Sequence, residues 1–374
     1  MLDLMITIAI GLLSSLILFY KFPSIKINRT ADSKHQLSII IPARNEETNI
    51  RLLLQDLMRQ KAPIHEIICV DDGSTDKTFE VASSFDVKTI SIKDKPGDWT
   101  GKTWACQTGA DAATGDMLLF LDADVRLSPH AISRLMHAYE ENRCVISVQP
   151  YHQTDKHYEQ FSFFFNLIQI AGNGTSMIGE QECAGLCGPV ILIDQQTYLS
   201  IDRHLSAKNS IVDDMAMGKK LKQMGFPFKL FMGSKDISYR MYGDNFKSLF
   251  QGWTKNYASG ALKTSLVVFG LVFLWVTSCI ASVIIVVQSL WDFNMRNLLW
   301  AMILYLLWVL ELFRVSKDVG QFKKSTIFAY PIYLFFFLMV FFISLFKKVF
   351  KMDVAWKGRK IKQDRAGIAG KDKL

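Results

Sequence analysis

Several functional classes are excluded by what this 374-residue sequence lacks. Its six cysteines (Cys69, Cys106, Cys144, Cys183, Cys187 and Cys279) are scattered. The Cys183–Cys187 pair has neither a second pair nor a histidine cluster to complete a zinc site. They are expected to be reduced, mostly buried thiols of a cytosolic domain. No Gly-x-Gly-x-x-Gly follows the first apolar strand, which argues against a dinucleotide-binding oxidoreductase. The formal net charge is +8, yet no basic stripe with interleaved aromatics is present, so no nucleic-acid partner is expected. A basic start and a small-residue cleavage site are also missing, so the N-terminal apolar run does not read as a secretory signal.

What is present is very unevenly distributed. Residues 5–19 are uncharged and apolar, with Asp3 before them and Lys21, Lys26, Arg29 and Lys34 after. That asymmetry predicts a retained anchor over residues 1–22, its N-terminus outside and the bulk of the chain inside. Residues 36–260 read as a soluble domain. Short apolar runs (Leu37–Ile41, Ile67–Val70, Met117–Leu121, Cys144–Val148) alternate with helical periodicity over Asn49–Gln60 and Ser128–Glu141, which predicts an α/β domain on a parallel sheet. Residues 264–346 hold two or three apolar segments facing a bilayer. Leu266–Leu290 is long enough to span, Leu298–Phe313 is short and carries Glu311, and Ile327–Phe346 is interrupted by Pro331. Three full crossings would put the basic tail 347–374 outside, against the positive-inside tendency. One of the last two segments is therefore expected to be re-entrant or interfacial, with the tail cytosolic.

The chemistry-bearing residues cluster at strand ends, where ligands of such sheets sit. The first strand runs into Pro42-Ala43-Arg44-Asn45-Glu46, with Asn45 or Thr48 expected to cap the next helix. The second ends in Asp71-Asp72-Gly73-Ser74, more acid than a cap requires. The third ends in Leu121-Asp122-Ala123-Asp124. On a strand the two aspartates would share a face, and adjacent carboxylates repel unless a cation joins them. One or two carboxylates plus substrate phosphates is the usual setting for Mg²⁺ or Mn²⁺.

Taken together, in this order and spacing, residues 37–260 resemble the family 2 glycosyltransferases. The resemblance implies the GT-A nucleotide-diphospho-sugar transferase fold, here with N- and C-terminal transmembrane segments. It implies a nucleoside site at Pro42, Ala43, Arg44, Asn45, Glu46, Asp72 and Gly73, with Lys102 and Asp122 also on the nucleotide sugar. Asp122 and Asp124 would hold a divalent metal, Asp124 more directly. Val212-Asp213-Asp214, with Leu221 and Gly225 following, is similar to the catalytic-base segment, with Asp214 favoured over Asp213. Gln251-Gly252-Trp253-Thr254-Lys255 stands where relatives carry a Gln/Arg/Trp motif over the diphosphate. The arginines are absent, which argues against processive polysaccharide synthesis and leaves Lys255 as the cation. Four further stretches (Ser147–His152, Cys187–Val190, Trp253–Gly260 and Val354–Arg359) resemble the carotenoid-acid branch of the family. Gly188, Pro189, His204 and Trp253 are then acceptor-side candidates, although Asp202-Arg203-His204 replaces the Gly-Gly-His often found there.

The implied activity is inverting transfer of a hexose from a UDP-sugar, UDP-glucose, to a lipid-soluble acceptor, the carboxyl group of a C30 carotenoid acid. Polyprenyl phosphate, diacylglycerol or a hopanoid are alternative acceptors, and a non-catalytic membrane scaffold is the rival class. Tyr158–Ile170, short and rich in aromatics, fits either an interfacial helix guiding the acceptor or a buried helix of the domain core.

Overall fold

A computed structural model describes residues 2–26, 34–179, 183–208, 210, 212–261, 264–350, 354–356 and 359–361. The apolar helix α1 (Leu2–Leu18) comes first. Strands β1 (Leu37–Ala43), β2 (Glu66–Asp71) and β3 (Lys88–Ser91) then alternate with α2 (Glu47–Met58) and α3 (Thr78–Ser83). Next come α4 (Gly101–Asp111), β4 (Met117–Leu121), β5 (Val125–Leu127), α5 (Ala131–Asn142), β6 (Val145–Gln149) and β7 (Tyr151–His152). The buried stripe Ile50, Leu53, Leu54 and Leu57 on α2 recurs at helical spacing and seats that helix on the sheet. Strand β4 is buried at every position, as a central strand covered on both faces should be.

Beyond β7, a 3₁₀ turn (His157–Ser162) leads into α6 (Phe163–Asn173), then β8 (Val190–Asp194), α7 (Gln195–Ser200), α8 (Asp213–Gln223), β9 (Phe228–Met232) and β10 (Ile237–Tyr239). The seven-stranded sheet has the order β3-β2-β1-β4-β8-β6-β9. It is mixed, which corrects the expectation of a parallel sheet: β8 runs antiparallel to both β4 and β6. The reversal has a direct consequence for the site. Because β8 starts where β4 ends, Leu121 pairs with Val190, and Pro189 lies beside Asp122. A second sheet, β5-β10-β7, pairs Tyr239 with Val125 just beyond Asp124.

The remaining elements are α9 (Phe246–Ala261), α10 (Leu266–Trp291), α11 (Met295–Val319), α12 (Lys324–Phe328), α13 (Tyr330–Val349) and a short hairpin, β11 (Val354–Trp356) and β12 (Arg359–Ile361). Among the described residues, α10, α11 and α13 are long and apolar enough to cross a membrane, and α1 is a shorter apolar helix. Helix α1 lies tightly on α10. A Cβ at Gly11 would stand 2.0 Å from Ser278 Cβ, and the Ser278 hydroxyl donates to Ile8 O (3.2 Å). Glu311 is not a break in its segment. Its carboxylate accepts from Ser15 Oγ (2.7 Å) and from the Arg314 guanidinium (2.7 and 2.8 Å), which also donates to Phe19 O at the end of α1. Three helices are thereby tied together by polar groups that satisfy one another.

One further expectation changes, and one open alternative is resolved. Pro331 does not interrupt a segment; it stands in the first turn of α13, where its missing N–H has no helical partner to lose. The aromatic stretch Tyr158–Ile170 is not interfacial. Phe163, Phe164, Phe165 and Leu167 are fully buried, packed among Trp253, Trp275, Tyr330, Phe336 and Phe337. Helix α13 starts midway along its neighbours: Tyr330 stacks on Tyr305 at 5.2 Å and donates to Cys279 O at 3.3 Å. It then returns towards the domain, where Ser344 Oγ donates to Thr254 O of α9 (2.7 Å). Its outer stripe, Ile332, Phe335, Phe342, Phe346 and Val349, is exposed.

The Gly11 contact yields a test of the α1–α10 seam. Gly11→Ala should destabilise the detergent-purified protein by about 1–3 kcal/mol through overpacking. Adding Ser278→Gly should recover most of the loss in a thermal melt.

Candidate active site

The loops after β1 and β2 are built as one unit. Asn45 adopts φ 52° and its side chain accepts from Thr75 N (2.8 Å), while its own N–H donates to Ser74 Oγ (2.9 Å). It therefore does not cap α2, and neither does Thr48. The free amides of that helix start are met by Thr78 Oγ1, which accepts from Glu46 N (2.8 Å), and by Asp76, which accepts from Glu47 N (3.2 Å). Asp71 folds back to accept from Ser74 N (3.2 Å) and so shapes the turn in which Gly73 takes φ 64°, a conformation that favours glycine. Asp71 is thus spent on the turn. Asp72 is buried, its N–H bonded to Ala43 O (2.9 Å), and Arg44 bridges it by donating to the carbonyls of Asp72 and Gly73. Pro42, Ala43, Arg44, Asn45, Glu46, Asp72 and Gly73 form one continuous rim.

A charged cluster adjoins the rim at the end of β4. Lys102, in the first turn of α4 behind the Thr100 cap, places Nζ 2.7 and 2.9 Å from the two Asp122 oxygens. Asp122 N donates to Pro189 O (2.9 Å). The neighbouring Gly188 N donates to Asp214 Oδ2 (2.8 Å), and Asp214 Oδ1 accepts from Met215 N (2.7 Å). Burial would lower the Lys102 pKa, but Asp122 and then Asp213 outweigh it and hold the ammonium well above its usual value. Burial, then the charge of Asp213, push Asp214 up to about 6 against the opposing pull of Lys102. One lysine thus faces three aspartates across a gap between β4, the 185–189 loop and α8.

The loop can sit so close to α8 because two glycines meet. A Cβ on Gly218 would stand 2.7 Å from Gly185 Cα, and one on Gly185 2.9 Å from Met215 Cα. Sequence reasoning missed both; a glycine inside the otherwise regular α8 was the available signal. Among the described residues no group of three or more His, Cys, Asp or Glu could hold a metal ion. Two acids with the remaining positions filled by phosphate oxygens and water still suit Mg²⁺ or Mn²⁺. Both oxygens of Asp122 already meet Lys102.

Two acceptor-side candidates are buried. His204 is buried, its Nδ1 2.6 Å from Tyr198 OH and its ring 4.8 Å from that of Phe120, so it supports α4 and β4 from behind. Burial drives its pKa down to about 4. Trp253 is buried as well, stacked on Phe165 at 4.6 Å with its indole N–H on Ser162 Oγ (3.2 Å), and belongs to the joint between α9 and α6. Gly188 and Pro189 do border the charged gap. The Lys255 side chain lies outside the described residues. A further residue that sequence reasoning passed over is Tyr242, carried on the segment that leaves β10, with its ring against Trp253 and Gly252.

Known proteins supply independent comparisons. Residues 38–198 match the family model "Glycosyl transferase family 2". The chain is 33% identical over 339 residues to the 4,4'-diaponeurosporenoate glycosyltransferase of Staphylococcus aureus strain USA300, covering 88% of this chain and 90% of that protein. The protein of that name from strain MRSA252 matches at the same identity and coverage. Among solved structures, a mannosyltransferase from Pyrobaculum calidifontis in complex with GDP-Man and Mn²⁺ superposes with a TM-score of 0.51 at 13% identity. That match covers 90% of this chain and 99% of that one, a likeness of fold.

Asp214 offers a check on the site's electrostatics. With its folded pKa raised from 3.8 to about 6, the native state holds the proton more tightly than the unfolded chain. Stability from this group is therefore lost as pH rises across that window. Asp214→Asn should raise the apparent Tm at pH 8 and change it little at pH 4.5. An equal fall at both pH values would contradict the assignment.

Proposed function

Because this chain belongs to glycosyl transferase family 2, we propose that it transfers a hexose, glucose from UDP-glucose, to a lipid-soluble acceptor, with inversion. The observation that carries this reading is the gap in which Lys102, Asp122, Asp213 and Asp214 converge beside the Pro42–Glu46 rim. The rim and Asp72 hold the nucleoside. The diphosphate points to Asp124 and Lys102, and the sugar lies between them and Asp214. A bound Mg²⁺ or Mn²⁺ would supply a Lewis acid for the charge that grows on the leaving diphosphate. Lys102 adds a fixed positive charge at the same place, already oriented by Asp122, so no reorganisation is needed as the bond breaks.

The names of the relatives favour a carotenoid acid as acceptor. A carboxylic acid with an ordinary pKa near 4 is ionised at neutral pH, so its attack on the anomeric carbon requires no proton removal. On this reading Asp214 orients the acceptor and fixes the 185–189 loop rather than acting as a base. An alcohol acceptor would instead need Asp214 as the proton-accepting group.

The acceptor reaches the site from a bilayer. Helices α1, α10 and α11 cross it, and α12 with α13 dips to mid-depth and returns. The domain and the basic tail then share the cytoplasmic side, as the positive-inside tendency requires. The support is the Tyr330–Cys279 bond at one end of α13 and the Ser344–Thr254 bond at the other.

Two measurements test these proposals. Membranes incubated with UDP-glucose and a C30 carotenoid acid should yield the glucosyl ester by mass spectrometry. In that assay Asp124→Asn should lose roughly 10²-fold or more, and Asp214→Asn much less. Equal, near-total losses would reinstate Asp214 as base, and product only with polyprenyl phosphate or a diacylglycerol would change the acceptor. A reporter fused after Leu374 should give a cytoplasmic signal; an external one would mean that α13 crosses fully.

A further inference from the structure

Helix α6 is apolar except for Asn166, Gln169 and Asn173, which stand at i, i+3 and i+7 and so share one face. Phe164 and Phe165 of the same helix pack on Trp275, Tyr330 and Trp253 of the apolar helices. The polar face leads the other way. Asn173 accepts two successive amides, Ala184 N on its carbonyl (3.0 Å) and Gly185 N on Oδ1 (3.1 Å). Asn166 Oδ1 accepts from Tyr239 OH (2.9 Å), which accepts from Gln149 Nε2 (2.9 Å). Gln149 Oε1 in turn accepts from Cys187 Sγ (3.0 Å), with Gln169 Nε2 of α6 at 3.5 Å. Asn166, Tyr239, Gln149 and Cys187 are all buried, where a polar group that loses its partner is costly. Past Gly174 (φ 75°) the chain is tied to the end of α1: Ser176 Oγ donates to Leu18 O (2.7 Å) and Lys21 N to Ser176 O (3.1 Å). Two tethers thus run from one helix, itself fixed at both ends, to the 184–188 segment.

We propose that Asn173 and Gln149 are positioning residues: they hang the 184–188 segment from α6 and through it set Asp214 against the donor sugar. This rests on the nucleotide-sugar reading above. The segment they hold carries Gly185, pressed on α8, and Gly188, whose amide meets the Asp214 carboxylate. The nucleoside rim is supported separately. It is carried by β1 and β2, on the far side of β4 from β8 and β6. The tethers therefore govern turnover and leave donor affinity alone.

The test uses full-length protein in detergent with UDP-glucose and a C30 carotenoid acid. Asn173 is half-buried at a helix end, so Asn173→Ala removes the Gly185 acceptor with little risk to folding. It should lower kcat roughly 10- to 100-fold, the scale of a small misplacement at a reacting centre. The KM for UDP-glucose should stay within about twofold, since the lost interaction serves the transition state. Asn173→Asp, which keeps an oxygen acceptor, should recover most of the turnover, and Gln149→Met should behave like Asn173→Ala. Amide exchange of a peptide spanning 184–188 should rise in Asn173→Ala, with that of the 42–46 rim unchanged. An unchanged kcat in Asn173→Ala, a KM that rises in step with the loss, or Asn173→Asp as impaired as Asn173→Ala overturns the proposal and leaves the glycosyltransferase reading intact. A wild-type protein that forms no glucosyl ester would instead overturn the donor and acceptor reading; the exchange arm then decides the tether, and unchanged exchange in Asn173→Ala overturns it.

Discussion

The Gly188 amide donates to the Asp214 carboxylate across the boundary between the 185–189 loop and α8, and the geometry of the whole charged cluster hangs on that contact. One residue further along, Pro189 O receives the amide of Asp122, so the same loop sets the height of the acidic strand end. Lys102 then bridges the Asp122 carboxylate, under the influence of Asp213 from α8. Remove the close approach of Gly185 and Gly218 and the loop lifts from α8. The aspartates would then no longer face a common cation. Burying several like charges around one lysine is costly, and that cost is held in place by backbone amides and glycine contacts.

A second constraint joins the domain to the apolar helices. The 3₁₀ turn and α6 bury four bulky side chains (Phe163, Phe164, Phe165 and Leu167) between the sheet side and the helices α9, α10 and α13. Aromatic rings at 4.6 to 6.4 Å carry the contact. Polar exceptions are satisfied locally: Gln160 Oε1 accepts from Lys323 N and Thr326 Oγ1, and the indole of Trp253 finds Ser162. The interface has the character of a domain core rather than of two surfaces in passing contact.

How much of this the sequence disclosed depended on whether the cause was local. The strands β1, β2 and β4 announced themselves as short apolar runs, and Asp122 stood out as a strand-end acid, while Lys102 came only through the family resemblance. The direction of β8 could not be read, since nothing in Val-Ile-Leu-Ile-Asp distinguishes a parallel from an antiparallel neighbour. His204 and Trp253 came forward as acceptor-side candidates from the family resemblance, and a match of residues says nothing about which way a side chain faces; both are buried. Asn45 looked like a helix cap and instead stitches two loops together, a partner 30 residues away in the chain. Tyr242 and Gly252 carry no signal separately. Their meaning lies in how closely the Tyr242 ring approaches Gly252, where a Cβ would stand 2.2 Å from Cε1.

The aromatic joint around α6 implies something about elevation. A catalytic head hinged to its anchor could nod toward the lipid and meet acceptors of different reach. Here Phe164 is wedged against Trp275 and Tyr330, and Phe165 against Trp253, so head and anchor move as one piece. On the proposed function the sugar would then be offered at a single height above the lipid surface. A lipid-soluble acceptor would have to make the climb, and its length and stiffness, as much as its functional group, would become what is selected.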